Sequence, residues 1–332
     1  MELQIRDVSM TYPNGVQALN NVTLTIPVGM YGLLGRNGAG KSTLMRILAT
    51  LQEPDAGSIR IVLSTGSGQA FSTGSGQAID AVRQKDRVRE TLGYLPQSFG
   101  FHPRVSAERL IDHFAVLKGV VERGPRRDAV ESLLRRTNLW EVRKRRVGTF
   151  SGGMRQRLGV AIALLGNPKL IVVDEPTAGL DPEERVRFLN LLSEIGEDSV
   201  VILSTHIVED VEELCNRLAI IDRGEILLEA EPLRAIGELR GRIWRRTVSR
   251  DELPDLEREQ QVISTKLMAG RTIAHVYAES SPGTKFEAVE PDIKDVYFSV
   301  MARQAQGHPE QSRGVAGHYR GHEVSGAGEA VS

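Results

Sequence analysis

The run Gly35-Arg36-Asn37-Gly38-Ala39-Gly40-Lys41-Ser42 is spaced for phosphate chemistry, with the pattern G-x-x-x-x-G-K-[ST]. Gly35, Gly38 and Gly40 allow the backbone to turn its N–H groups inward, and the helix expected over Thr43 to Leu51 points its positive end at the same place. Lys41 supplies a point charge near the outer phosphates of a nucleotide, and Ser42 supplies a hydroxyl suited to Mg²⁺. The dinucleotide fingerprint G-x-G-x-x-G fails, because Thr43 stands where its last glycine is needed. A Rossmann dehydrogenase is therefore set aside.

A second constellation is Leu170-Ile171-Val172-Val173-Asp174-Glu175-Pro176, an apolar run feeding two carboxylates. In open α/β sheets ligands bind beyond the carboxyl ends of the strands, so this pair is delivered to the nucleotide. Alternation along a strand sends neighbouring side chains apart, which predicts separate tasks. Asp174 suits the Mg²⁺ shell and Glu175 suits polarising the attacking water. A third segment begins at Phe150: Ser151 offers a hydroxyl, while Gly152 and Gly153 permit close backbone approach at the start of an amphipathic helix. That makes a second phosphate cradle.

With these segments in this order, the sequence resembles the ATP-binding-cassette (ABC) ATPases over roughly Leu3 to Leu227. Ser151-Gly152-Gly153-Met154-Arg155-Gln156-Arg157 matches the family's signature loop, with Phe150 and Met154 as variants at its edges. The resemblance implies that this loop serves the ATP of a partner across a head-to-tail dimer. It also implies that Tyr12 stacks on adenine, that Gln97 links the Mg²⁺ site to a helical insert, and that Gly179 to Asp181 address the partner. His206 would hold the γ-phosphate. The nucleotide set it implies is Tyr12, Gly35, Asn37, Gly38, Ala39, Gly40, Lys41, Ser42, Thr43, Ser151, Gly152 and Gly153. The catalytic set is Glu175, His206 and Gln97, and the metal set is Ser42, Gln97 and Asp174.

The whole set most resembles the ATPase subunits of exporters whose permease is a separate membrane protein. This implies ATP and Mg²⁺ as cofactors, a second cassette in a homodimer, a transmembrane permease, and a place on the cytoplasmic face of the cell membrane. Nucleic acid is not an expected partner. The alternative is a soluble cassette ATPase acting on ribosomes or nucleic acid, but the paired cassettes or long coiled-coil insertions usual there are missing. A small-molecule kinase would have no place for the signature loop.

The elements that must hold these residues alternate in type. Tyr31 to Leu34, Leu170 to Val173 and Val200 to Leu203 read as buried strands of a parallel sheet. Arg104 to Arg146 reads as a helical insert. The fold class is thus α/β: a P-loop NTPase over 1–230, with an ABC-type β-subdomain and a helical subdomain at about 100–150. A small α+β domain is expected over 231–302, with strands in GRIWRRTVS, QQVISTKLM and TIAHVYAE and a helix in DIKDVYFSVMAR. Ser249 and Glu252 have capping-box spacing there. The Gly-, Gln-, Ser- and His-rich tail, 303–332, is expected to be disordered, with His308, His318 and His322 in solvent. The repeat STGSGQA, at Ser64 to Ala70 and Ser72 to Ala78, reads as a flexible loop from a local duplication.

Composition excludes several classes. The 332 residues carry 42 basic and 43 acidic side chains, a net charge of −1 that offers no argument for nucleic acid. The basic run Arg143 to Arg146 reads as part of a solvated face, because Asp128, Glu131 and Glu141 interleave with the basic residues before it. The longest nearly apolar run, Gly159 to Gly166, is far short of the ~18 residues a spanning helix needs. Glu2 and Asp7 occupy positions where an export signal would be basic or apolar, so the chain is expected to stay in the cytoplasm. Cys215 is alone, which excludes an intrachain disulfide or a cysteine metal cluster.

Overall fold

A computed structural model describes residues 1–62, 78–98, 100–177 and 180–307. β1 (Glu2–Thr11) and β2 (Gln17–Pro27) bury alternating apolar side chains, among them Leu3, Ile5, Leu24 and Ile26, and pair antiparallel. β3 (Gly29–Leu34) is buried along almost its whole length and leads through the glycine-rich loop into α1 (Lys41–Leu48). β4 (Ala56–Val62) and β5 (Ala78–Asp80) return to the first sheet, whose order is β2-β1-β4-β5. The two STGSGQA copies fall between them and, Ala78 apart, lie outside the described residues.

α2 (Lys85–Thr91) runs directly into β6 (Leu92–Leu95). α3 (Ala107–Leu117), α4 (Arg123–Arg136) and α5 (Gly152–Ala163) follow as the helical part. Its own apolar cluster includes Leu110, Ile111, Leu134 and Leu139, and it also takes in Phe150, Leu158, Ala161 and Leu165. The helix after the signature loop is thus cored together with the insert. On the basic face Arg126 pairs with Asp112, Arg135 pairs with Glu131, and the Arg143 guanidinium lies 3.7 Å from the Trp140 ring centroid.

β7 (Leu170–Asp174), α6 (Pro182–Gly196), β8 (Val200–Thr205) and α7 (Val208–Leu214) then alternate. β9 (Arg217–Asp222) and β10 (Glu225–Ala230) form a hairpin whose two turn residues, Arg223 and Gly224, both have positive φ, as a type I′ turn requires. The second sheet is six-stranded, in the order β10-β9-β3-β8-β7-β6, and every pairing but the β9–β10 hairpin is parallel. Every residue of β7 and β8 is buried, the pattern of a sheet covered on both faces. One apolar cluster joins β1, β2 and α1 to this sheet through Leu3, Leu24, Leu44, Val172 and Ile202.

The chain divides into two compact units, Met1–Pro232 and Leu233–Ser332. α8 (Pro232–Glu238) starts at the division. The second unit builds a sheet in the order β12-β13-β11-β14 from β11 (Ile243–Val248), β12 (Gln261–Met268), β13 (Arg271–Tyr277) and the two-residue β14 (Glu287–Ala288). α9 (Leu253–Glu259) puts Leu256 into a core with Val248, Ala274 and Val276. Ser249 and Glu252 do form a reciprocal box, Glu252 Oε2 accepting from the Ser249 N–H at 2.8 Å and Ser249 Oγ from the Glu252 N–H at 3.3 Å. The box closes the turn before α9. α10 (Ile293–Gly307) runs four residues past the helix expected to end at Arg303, so residues 303–307 are helical and not part of a disordered tail. The rest of the tail, with His308, His318 and His322, lies outside the described residues. Among the described residues no helix is long and apolar enough to cross a membrane.

Candidate functional site

The parallel strands end at one edge. In register, Leu34 of β3 lies beside Thr205 of β8, Asp174 of β7 beside Ser204, and Leu95 of β6 beside Val173. The segments that leave this edge therefore emerge side by side: the glycine-rich loop, Glu175, His206 and Gln97. This is the carboxyl edge at which α/β sheets receive ligands.

The glycine-rich loop depends on two positions. Gly40 has φ 110°, and a Cβ there would sit 2.5 Å from the Ala18 carbonyl oxygen. A Cβ on Gly35 would sit 2.4 Å from the Ile221 carbonyl oxygen of β9. Asn37 and Gly38 are exposed at the crest, whereas Ala39 is buried and its carbonyl accepts from the Gly224 N–H at 2.9 Å. Lys41 folds back under the loop. Its Nζ donates to the carbonyls of Gly35 at 2.7 Å and Arg36 at 3.0 Å, and lies 3.5 Å from Glu175 Oε1. Burial pushes the Lys41 ammonium below its usual range, opposed by the charge and hydrogen bond of Glu175 and the charge of Asp174.

Glu175 is the point on which the site converges. Besides Lys41, it meets Gln97 Nε2 at 3.1 Å and His206 Nδ1 at 3.3 Å through Oε2. Its backbone has φ 47°, a conformation that a residue other than glycine adopts at a cost, and its N–H donates to the Ser204 carbonyl at 2.9 Å. Strand alternation is therefore not what separates the two carboxylates. β7 ends at Asp174, and the left-handed step at Glu175 turns its side chain toward Lys41, Gln97 and His206. Asp174 is buried, and its Oδ1 has no hydrogen-bond partner among the described residues; the same holds for Ser204 Oγ beside it in register.

Other residues singled out in the sequence stand nearby or apart. The Tyr12 hydroxyl lies 3.0 Å from Thr43 Oγ1, which fixes the ring against the start of α1 next to Ser42. Ser151 makes none of these contacts: its Oγ accepts from the Met154 N–H at 3.2 Å as the N-cap of α5. Gly152 is exposed, and Gly153 lies against Glu184, which pairs with Arg157. Asp181 caps α6 through the Glu184 N–H at 2.8 Å, with Pro182 in the first turn. Gly179 lies outside the described residues. Sequence reasoning missed Asp210, a fully buried carboxylate bonded to Thr177, Arg185 and Thr205. In Val208-Glu209-Asp210-Val211-Glu212-Glu213 nothing sets it apart from its acidic neighbours.

A glycine-rich loop between a buried parallel strand and a helix, with carboxylates at the end of β7, which β8 separates from β3 in the sheet, defines a P-loop nucleotide-binding protein. The profile of the ABC transporter family matches residues 19–178. The ATP-binding protein NatA of Bacillus subtilis is 34% identical over 215 residues, 64% of this chain and 81% of NatA. The uncharacterized ATP-binding protein YxlF of the same organism is 27% identical over 310 residues, 86% of this chain and 95% of YxlF. The doxorubicin resistance ATP-binding protein DrrA of Mycobacterium tuberculosis is 34% identical over 232 residues, 69% of this chain and 65% of DrrA. Among solved structures, the cassette MJ0796, dimeric and bound to ADP and Pi, is 25% identical with a TM-score of 0.59, covering 69% of this chain and 98% of that one. The chain belongs to the ABC transporter ATP-binding proteins, and it is an ATPase.

Proposed function

We propose that the chain is the energising subunit of an exporter: two copies close on ATP and drive a separate transmembrane permease from the cytoplasmic face of the membrane. The observation that carries this reading is the convergence of Lys41, Gln97 and His206 on the Glu175 carboxylate, at the edge where the phosphate loop opens. DrrA, named for doxorubicin resistance, supports the exporter sense, and the dimeric cassette MJ0796 supports pairing. NatA and YxlF, both named as ABC transporter ATP-binding proteins, favour it over a soluble ATPase acting on ribosomes or nucleic acid.

In this reading Tyr12 packs on the adenine, and the backbone from Gly35 to Thr43, with Asn37, Gly38, Ala39 and Gly40, holds the phosphates. Lys41 exchanges the Gly35 and Arg36 carbonyls for phosphate oxygens. Ser42, Asp174 and Gln97 would hold Mg²⁺: the orphaned Oδ1 of a buried aspartate beside Lys41, with a hydroxyl and an amide oxygen, is a donor set such a hard cation takes. The ion supplies charge neutralisation on the phosphate oxygens. Glu175 orients the attacking water and accepts its proton, and His206 fixes the γ-phosphate, because phosphoryl transfer asks chiefly for positioning and charge. Ser151, Gly152 and Gly153 belong to the partner's nucleotide, which accounts for their standing apart from the Lys41 cluster of their own chain.

The test is a mild-detergent pull-down of tagged Glu175→Gln protein with ATP from its own cells. The expected result is one polytopic membrane protein in near-equal amount. Ribosomal RNA in its place would overturn the transporter reading.

A further inference from the structure

Asp210 has no exposed surface, and its side-chain bonds to the described residues reach outside its own short helix α7. Oδ1 accepts from Arg185 Nε at 2.7 Å. Oδ2 accepts from the hydroxyls of Thr177 and, at 3.3 Å, of Thr205. Thr205 Oγ1 in turn accepts from the Ile207 N–H at 2.9 Å, bracing the turn on both sides of His206. These partners come from three segments. Thr177 lies two residues after Glu175, Thr205 immediately precedes His206, and Arg185 stands one turn into the helix that Asp181 caps.

From this geometry we infer that Asp210 is a positioning residue for hydrolysis: it locks the Glu175 turn, the His206 turn and the start of α6 into one unit. The physical reason is the cost of a buried charge. A carboxylate withdrawn from water is tolerable only while its oxygens are bonded. If the His206 turn shifted alone, the Thr205 bond would break and Oδ2 would lose a donor with no water to replace it. The three segments must therefore move together. The hydrogen bonds of Asp210 go to Thr177, Thr205 and Arg185, so it acts on Glu175 and His206 through their neighbours Thr177 and Thr205. In the proposed reading ATP is held chiefly by Tyr12, the glycine-rich loop and Lys41, none of which bonds to Asp210, so the network governs chiefly the rate of the chemical step.

The inference rests on the roles proposed for Glu175 and His206, and the test separates the two. Steady-state ATP hydrolysis by the full chain is measured for Asp210→Asn, which keeps the volume and removes the charge. The expected result is a fall in kcat of at least about tenfold with KM for ATP within about twofold. Thr177→Val and Thr205→Val, alone and together, keep the question answerable if Asp210→Asn does not fold. Each should lower kcat severalfold at unchanged KM. Because both hydroxyls work through Oδ2, the double variant should lose less than the product of the two single losses. Single variants with wild-type kcat, a double loss equal to the product, or KM rising in step with the fall in kcat would each overturn the inference. Wild-type turnover in Glu175→Gln would instead overturn the reading of Glu175.

Discussion

Lys41 is bonded to two carbonyls of its own loop and to Glu175, and it is buried where an unbalanced ammonium would be expensive. In the proposed reading the two carbonyls hold the place of phosphate oxygens. Lys41→Ala removes the charge that the phosphates require, and equilibrium binding should show ATP affinity falling at least about tenfold; unchanged affinity would sink the phosphate-loop assignment. The lysine, the serine after it and the paired carboxylates were legible because their spacing is a sequence property. The posture of Glu175 was not. Alternation holds only while the strand continues, and a strand that stops at Asp174, followed by a residue at φ 47°, obeys a different rule. Asp210 was illegible for the opposite reason: its burial comes from segments 5 to 33 residues away in the chain, which no local pattern encodes.

β7 and β8 could be read directly, since continuous runs of Val, Ile and Leu leave a buried parallel strand as the fitting element, and β3 followed from its short apolar run Tyr31 to Leu34 leading into the glycine-rich loop. Elements whose stability comes from neighbours were harder. The two residues of β14 have strand form only because β11 offers Trp244 and Arg245 for pairing. α10 overran its expected end because Arg303-Gln304-Ala305-Gln306 are good helix formers, and polarity was a signal for solvent, not for the loss of the helix. Gly35 is the junction of β3 with the loop, and its missing Cβ is what lets the β9 backbone pass. Gly35→Ala sets a methyl 2.4 Å from a carbonyl oxygen that cannot rotate away. We expect thermal unfolding at least about 2 °C lower than wild type, a cost of about 1–3 kcal/mol. An unchanged midpoint would mean that the two strands are not held at this spacing.

The two compact units each own an apolar core. One is built around Leu3, Leu24, Leu44 and Ile202, with the helical cluster beside it, and the other around Val248, Leu256, Ala274 and Val276. Every residue proposed for nucleotide, metal or catalysis lies in the first. A fragment of residues 1–232 should therefore unfold cooperatively and bind ATP with the affinity of the full chain. Loss of either property, followed by calorimetry and equilibrium binding, would show that the first unit needs the second. The site is half of a larger arrangement if Ser151, Gly152 and Gly153 serve a partner, and self-association on ATP is the consequence that separates this account from a self-sufficient ATPase. The most direct measurement is the solution mass of Glu175→Gln by light scattering, with saturating Mg²⁺-ATP and with Mg²⁺-ADP. With ATP the mass should double from 36.5 kDa, and with ADP it should not; a monomer under saturating ATP would contradict the account.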